Sequence, residues 1–191
     1  MLKGFQTLNA QIVLIPLLRM RKMWVRILSL DQALTLATDR FRSGELRALE
    51  TMLRAISRAG DGYFWLVLLV VALGTGHTRA GVVGLLAAAF GLIGSLFLKH
   101  VCRRARPEGG ANWGRFIAPD KYSFPSGHTT TAFSLATVTV THWPAIAPAL
   151  WVCAACIAVS RTLLGFHYLS DVIAGAGLGL LSGFSAVRIL S

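Results

Sequence analysis

The sequence predicts an all-α protein, a polytopic membrane helix bundle of about five to six transmembrane helices with an amphipathic N-terminal region. Composition is the first reason, because 54% of the 191 residues are hydrophobic and 14% are charged, against roughly a quarter in soluble domains. The second is that apolar residues collect into long stretches separated by short polar segments. No Pro/Ser-rich linker divides the chain. We expect an amphipathic N-terminal region at 1–58, followed by one transmembrane domain at 59–191.

The N-terminal region is basic and amphipathic. Between Trp24 and Ile56, apolar residues recur at three- and four-residue spacing with arginines between them. This spacing is typical of one or two amphipathic helices that lie on the membrane or pack against the bundle. We expect a break between them at Ser43 and Gly44, and the region is a candidate sixth element of the bundle.

Five apolar stretches are predicted to cross the membrane. A helical span needs about 20 residues, and since the first stretch is shorter, we expect residues 59–62 to extend it. The last stretch has three glycines spaced every four residues, which we expect to let two helix backbones approach closely. The stretches are 63–74, 80–98, 129–143, 144–159 and 172–190, and the glycines are Gly175, Gly179 and Gly183.

Three polar clusters stand at the ends of these predicted spans, where polar groups are costly and tend to be retained for function. Hairpins between the spans return the chain to the same side each time, so we expect the clusters to meet on one face of the membrane. In chain order they are Lys99-x6-Arg106-Pro107, Pro125-Ser126-Gly127-His128 and Ser160-Arg161-x5-His167-x3-Asp171.

These residue types suit phosphoryl transfer, which depends mostly on positioning and electrostatics. Lys99, Arg106 and Arg161 supply cations for the phosphate oxygens. Ser126 and the backbone amides around Gly127 can add donors, and a helix that begins near Gly127 would itself favour an anion at its N-terminus.

The nucleophile is expected to be His167 or His128, because no Gly-x-Ser-x-Gly elbow or suitable cysteine is present. Asp171 lies one helical turn after His167, so it could hold one imidazole nitrogen and leave the other to attack phosphorus. His128 would then protonate the leaving oxygen. Each cluster alone has a simpler explanation: arginines 103, 104 and 106 can set membrane topology, and Ser-Gly can cap a helix. The joint occurrence of all three on one side favours a site.

The three clusters resemble the signature of the type 2 phosphatidic acid phosphatase family over residues 99–171, with every signature position filled. The resemblance implies that 59–191 is a catalytic domain in which His167 forms a phosphohistidine, Asp171 activates it and His128 is the acid. It also implies a phosphate-binding set and no metal or other cofactor. The phosphate-binding set is Lys99, Arg106, Ser126, Gly127 and Arg161.

The resemblance implies a membrane lipid phosphate or pyrophosphate as substrate, of the phosphatidic acid, phosphatidylglycerol phosphate, polyprenyl pyrophosphate or lipid A type. Two alternatives stay open: a lipid phosphotransferase that uses the same residues, and a non-catalytic protein that binds anionic lipids. We expect the bilayer and the lipid substrate as partners and no nucleic acid, because the net charge of +11 accompanies long uninterrupted apolar segments. We expect an integral protein of a bacterial inner (cytoplasmic) membrane, with the face that holds the site left open.

Overall fold

The computed structural model describes residues 22–38, 47–107 and 121–190. Within these ranges the chain forms seven helices and no strand, which confirms the all-helical prediction. The expected break at Ser43 and Gly44 lies outside the described residues. The helices are α1 (22–38), α2 (Arg47–Ala59), α3 (Gly62–Gly74), α4 (Thr78–Cys102), α5 (Gly127–His142), α6 (Ala147–Leu163) and α7 (Leu169–Leu190).

Each of the five predicted apolar stretches lies on one helix, α3 to α7, with ends that differ by at most four residues. By length and composition α4 and α7 can each cross a membrane, and α2 with α3 can do so as one span bent by 47°. The remaining two, α5 and α6, have 16 and 17 residues, fewer than the about 20 of a straight span. The described residues therefore supply two or three spans by these criteria, and the count of five to six stays a prediction.

The two amphipathic helices of the N-terminal region behave differently. On α2, Leu53 is buried and Ile56 packs against the apolar core around Trp65. On α1, Leu30 and Leu34 are exposed, although the sequence places them in the same periodic pattern. The apolar residues of α1 thus face away from the bundle, as expected of a helix at a membrane surface.

Helix α5 lies at the centre of the bundle, between α4 and α7, and its buried residues include both threonines and alanines. The glycine stripe of α7 makes this packing possible. A Cβ at Gly179 would stand 2.5 Å from the carbonyl oxygen of Thr130, and one at Gly183 would stand 2.7 Å from that of Ser134. This confirms the predicted close approach and identifies α5 as the partner helix.

Candidate active site

The three clusters come together at one end of the bundle. Lys99 lies in the last turn of α4, Ser126 is the N-cap residue of α5, Arg161 lies in the last turn of α6 and Asp171 lies in the first turn of α7. His167 stands in the connection between α6 and α7. The alternating chain direction of α4 to α7 therefore gathers the helix ends that the sequence analysis placed on one face.

His167 is held in one orientation and in one tautomer. Its side chain is 2% exposed, and its Nδ1 lies 2.7 Å from the carbonyl oxygen of Ser123. A carbonyl only accepts hydrogen bonds, so Nδ1 must be the protonated nitrogen. The lone pair is then on Nε2, which lies 3.4 Å from Nη1 of Arg106. The unprotonated nitrogen of the ring therefore accepts a long hydrogen bond from a cation that can also hold a phosphate oxygen.

Ser123 is held in place by hydrogen bonds to the residues that directly follow α4. Its backbone N–H donates to the carbonyl of Arg104 at 2.9 Å, and its hydroxyl donates to that of Ala105, also at 2.9 Å. Its side chain is fully buried. The carbonyl that orients His167 thus belongs to a segment tied down on both sides.

Asp171 lies beside His167, but the carbonyl of Ser123 makes the contact that the sequence analysis assigned to this carboxylate. Oδ2 of Asp171 is 3.7 Å from Nδ1 of His167, beyond ordinary hydrogen-bond length. The same oxygen accepts the N–H of Tyr168 at 3.0 Å, and Oδ1 accepts a bond from Arg104 Nη1 at 2.8 Å. Asp171 thus acts on the imidazole as a nearby negative charge.

Three cationic side chains surround His167, and two of them are almost completely buried: Lys99 is 4% exposed and Arg161 1%. Nη1 of Arg161 donates to the hydroxyl of Ser57 at 2.7 Å, and its guanidinium lies 4.4 Å from the centre of the Phe166 ring. Arg106 donates to the carbonyl of Phe166 at 3.0 Å. Two guanidinium groups and one ammonium group that converge on a buried site offer donors and positive charge to phosphate oxygens, so this cluster is suited to a bound phosphate.

These surroundings keep His167 neutral. Burial lowers the pKa of its imidazole well below the ordinary value, and the positive charges of Arg161, Arg106 and Lys99 lower it further. A neutral imidazole is required for attack, because protonation of Nε2 would occupy its lone pair. The neighbouring cations therefore favour the neutral form of His167, which a nucleophile would require.

The N-terminus of α5 is anchored to α7 next to Asp171. The N–H of Ser126 donates to the carbonyl of Asp171 at 3.0 Å, and the Ser126 hydroxyl accepts from Thr129 at 3.0 Å. A Cβ at Gly175 would lie 2.6 Å from the Ser126 carbonyl, so glycine permits this approach. Since α5 begins at Gly127, its first amides have no partner within the helix and favour an anion.

His128 has a partner that the sequence analysis missed. Its Nε2 lies 2.8 Å from Oδ1 of Asp61, in the bend between α2 and α3. A Cβ at Gly60 would stand 3.0 Å from Cδ2 of His128 and 2.8 Å from Ile157, so this residue allows the bend to approach. An acidic residue immediately before an apolar stretch was the available signal for Asp61.

Among the described residues, no group of three or more His, Cys, Asp and Glu side chains is arranged to hold a metal ion. Two other histidines, His77 and His142, lie at the opposite ends of their helices from the site. His100 is exposed and contacts the carbonyl of Leu96 on its own helix.

A membrane-type helical bundle with a buried histidine beside three cations is an arrangement suited to phosphoryl transfer. The chain belongs to the PAP2 superfamily, whose family model matches residues 65–191. Among its relatives is the phosphatidylglycerophosphatase B of Bacillus subtilis, 30% identical over 172 residues that cover 82% of this chain and 81% of that protein.

Other relatives match over shorter regions. The lipid A 1-phosphatase of Rhizobium johnstonii is 38% identical over 47% of this chain and 38% of that protein. The probable lipid phosphate phosphatase beta of Arabidopsis thaliana is 33% identical over 56% of this chain and 63% of that protein. The chain thus spans between four tenths and two thirds of the length of these curated relatives.

Solved structures share the fold. The transmembrane PAP2 type phosphatidylglycerolphosphate phosphatase of Bacillus subtilis superposes with a TM-score of 0.70 at 26% identity, over 86% of both chains. LpxE of Aquifex aeolicus gives 0.67 at 25% identity, over 84% of this chain and 94% of that chain. The chain is accordingly an integral membrane protein of this family.

Proposed function

We propose that this protein is a metal-independent phosphatase that removes phosphate from a membrane lipid phosphate or pyrophosphate through a phosphohistidine on His167. The observation that carries the proposal is the state of His167: Nδ1 donates a hydrogen bond to the Ser123 carbonyl, and the unprotonated Nε2 accepts only a long contact, 3.4 Å, from Arg106, which can turn to a phosphate oxygen instead. A nucleophile needs a free lone pair, and a transferring phosphoryl group needs positive charge around it. Both conditions meet at this nitrogen.

The reaction has two steps. In the first, Nε2 of His167 forms a bond to phosphorus while the bond from phosphorus to the lipid oxygen breaks, and His128 gives its proton to that oxygen. In the second, His128 takes a proton from water, the water oxygen bonds to phosphorus, and the P–N bond breaks to release phosphate. Lys99, Arg106 and Arg161, with Ser126 and the amide of Gly127, hold the phosphate oxygens in both steps.

Asp61 and Asp171 support the two histidines. The carboxylate of Asp61 accepts a hydrogen bond from Nε2 of His128, and its charge favours the imidazolium form, in which Nδ1 carries the proton to be delivered. Asp171 places a negative charge 3.7 Å from Nδ1 of His167. That charge favours the positive imidazole that forms when Nε2 bonds to phosphorus.

A lipid substrate is supported by the names of the relatives and by the bundle itself. An apolar groove lies between α3, α4, α5 and α6, and Trp65 at one of its ends is one helical turn from Asp61. The other end reaches His77 and Trp143. We assign this groove to an apolar chain of the substrate, which would extend from the phosphate site into the membrane. The same substrates are consistent with a bacterial inner membrane location.

The test is phosphate release by the detergent-solubilised protein from a panel of lipid phosphates, with EDTA present. We expect EDTA-resistant release that His167→Ala lowers by at least about 10³-fold. His142→Ala is the matched control, because this histidine lies at the other end of α5. Phosphate that appears on an acceptor lipid instead of in solution would indicate a phosphotransferase. Binding of anionic lipids without any release, by folded protein, would favour a non-catalytic role.

A further inference from the structure

The first turn of α7 is contacted by a carboxylate from outside the catalytic domain. Asp31, on α1, is 3% exposed, and its Oδ2 forms an ion pair with Nη2 of Arg104 at 2.7 Å. Nη1 of the same guanidinium binds Oδ1 of Asp171 at 2.8 Å. Asp31, Arg104 and Asp171 thus form a continuous chain of charges that ends 3.7 Å from Nδ1 of His167.

We propose that Asp31 is a positioning residue of the active site, which acts through Arg104 and Ser170 on Asp171. The proposal rests on the function proposed above. Asp31 lies outside the three sequence clusters and before residue 65, where the family match begins, and Arg104 is one of the six spacer residues between Lys99 and Arg106. The sequence alone allowed Arg104 to be explained as a topology-setting charge.

One part of this role is structural alignment of α7. Oδ1 of Asp31 accepts the backbone N–H of Ser170 at 3.0 Å, and Oδ2 accepts the Ser170 hydroxyl at 2.5 Å. Ser170 is the second residue of α7, so its amide has no partner within the helix. A carboxylate at this position caps the helix and is stabilised by its dipole. Asp31 therefore fixes the turn that carries Asp171.

The other part is electrostatic. Arg104 shares its positive charge between two carboxylates, since each of its terminal nitrogens binds one of them. Its guanidinium also lies 4.0 Å from the centre of the Tyr168 ring, which limits its movement. With Asp31 in place the three groups carry a net negative charge beside His167. Without it, Arg104 would neutralise Asp171, and the imidazole would lose stabilisation when it becomes positive in the reaction.

Most of the described residues of helix α1 are exposed. Among its described residues only Asp31 and Thr38 are buried, while Met23, Trp24 and Leu28 are about half exposed. The docking of α1 and the orientation of Asp171 therefore depend on the same carboxylate. If Asp31 served only to anchor α1, its removal would lower the melting temperature without a selective effect on turnover.

The experiment measures kcat, KM and melting temperature for Asp31→Asn in the full chain, with Gln32→Ala as the control on the exposed face of α1. We expect kcat to fall about five- to twentyfold with KM within about twofold, and the control to match the unaltered protein. Asp31→Asn is then introduced into the Arg104→Gln variant, which gives a double variant. There we expect Asp31→Asn to lower kcat by a smaller factor than in the unaltered protein, because the path through Arg104 is already broken and only the Ser170 contacts remain to be lost.

Three results would overturn the proposal. These are an unchanged kcat in folded Asp31→Asn, a loss fully explained by KM, or losses that multiply in the double variant as for independent sites. If Asp31→Asn does not fold, Ser170→Ala removes one contact of Asp31 with little change in side-chain volume. An unchanged kcat in folded Ser170→Ala would count against the proposal equally.

If the unaltered protein releases no phosphate from any lipid, the proposed function fails and the positioning role fails with it. If the unaltered protein is active and Asp31→Asn is unaffected, only the positioning role fails.

Discussion

The two histidines of the site stand in different surroundings. His167 is 2% exposed, and its neighbours, the Ser123 carbonyl and Asp171, are fully buried in the packed region of α4, α5 and α7. His128 has a side chain that is 20% exposed and pairs with Asp61, which is 37% exposed. The first arrangement is buried and held by hydrogen bonds, which suits the proposed nucleophile with one attacking nitrogen. The second is more exposed, which suits the proposed acid, because it must meet the leaving group and later a water molecule.

The residues around the two histidines also come from different parts of the sequence. The residues around His167 come from the three clusters and the segments directly beside them, so the family match includes them. Asp61 and Gly60 come from the bend between α2 and α3, which precedes the matched residues.

Among the variants that test this comparison, His128→Ala should have the largest effect on activity. If this histidine is the acid, release from a lipid phosphate should fall about 10²- to 10⁴-fold. Release from 4-nitrophenyl phosphate should fall far less, because that leaving group needs no proton. His167→Ala should abolish both reactions alike. Equal losses on both substrates in His128→Ala would contradict the assignment of the acid role.

Asp61→Asn should show the same dependence on the leaving group as His128→Ala, with a smaller loss of activity. The amide keeps the shape of the side chain but removes the charge that favours the imidazolium form of His128. We expect about a tenfold loss of kcat on lipid phosphates and little change on 4-nitrophenyl phosphate, compared at equal protein folding. A loss independent of the leaving group would mean that Asp61 serves the structure of the bend and not the acid.

The protonation state of His167 tests the nucleophile side. Because burial and the neighbouring cations lower its pKa well below 6.5, His167 should stay neutral when the pH falls through that value. The same shift predicts that folding stability associated with this group is constant above pH 6.5 and declines as the pH falls below it. Imidazole ¹⁵N shifts, assigned with His167→Ala, should report Nδ1 protonated and Nε2 unprotonated at pH 6. An imidazolium at that pH would contradict the account.

The smallest effect concerns packing. Gly179→Ala places a methyl group against the α5 backbone, at 2.5 Å from the Thr130 carbonyl, and should destabilise the protein by about 1–3 kcal/mol. Gly177→Ala is the matched control on the same helix, since nothing lies within 4 Å of its Cβ. Thermal unfolding in detergent compares the two. Equal melting temperatures would mean that α5 and α7 are not packed through this stripe.

Much of this arrangement could be predicted from the sequence because it depends on local pattern. Apolar stretches locate α3 to α7, and the alternation of helix direction places Lys99, Ser126 and Arg161 at one end. The four-residue glycine spacing predicts a close helix contact, although not that α5 is the partner. These features follow from periodicity and connectivity alone.

The missed contacts depend on tertiary structure. Ser123 acts through a backbone carbonyl, which no side-chain pattern can reveal. Asp31 and Asp61 reach the site because α1 and the bend before α3 dock there, over sequence separations of more than sixty residues. The sequence also left open which way the apolar face of α1 points. The same apolar periodicity occurs in α1, whose apolar residues are exposed, and in α2, whose apolar residues pack against the core.

The most direct test of the central claim is to trap the covalent intermediate. The protein is mixed briefly with a ³²P-labelled lipid phosphate, quenched, and analysed for labelled protein. We predict label that is stable to base and lost in acid, as a phosphoramidate requires, present in the unaltered protein and in His142→Ala and absent in His167→Ala. Active protein that never becomes labelled, or label that persists in folded His167→Ala, would contradict the assignment of His167 as the nucleophile.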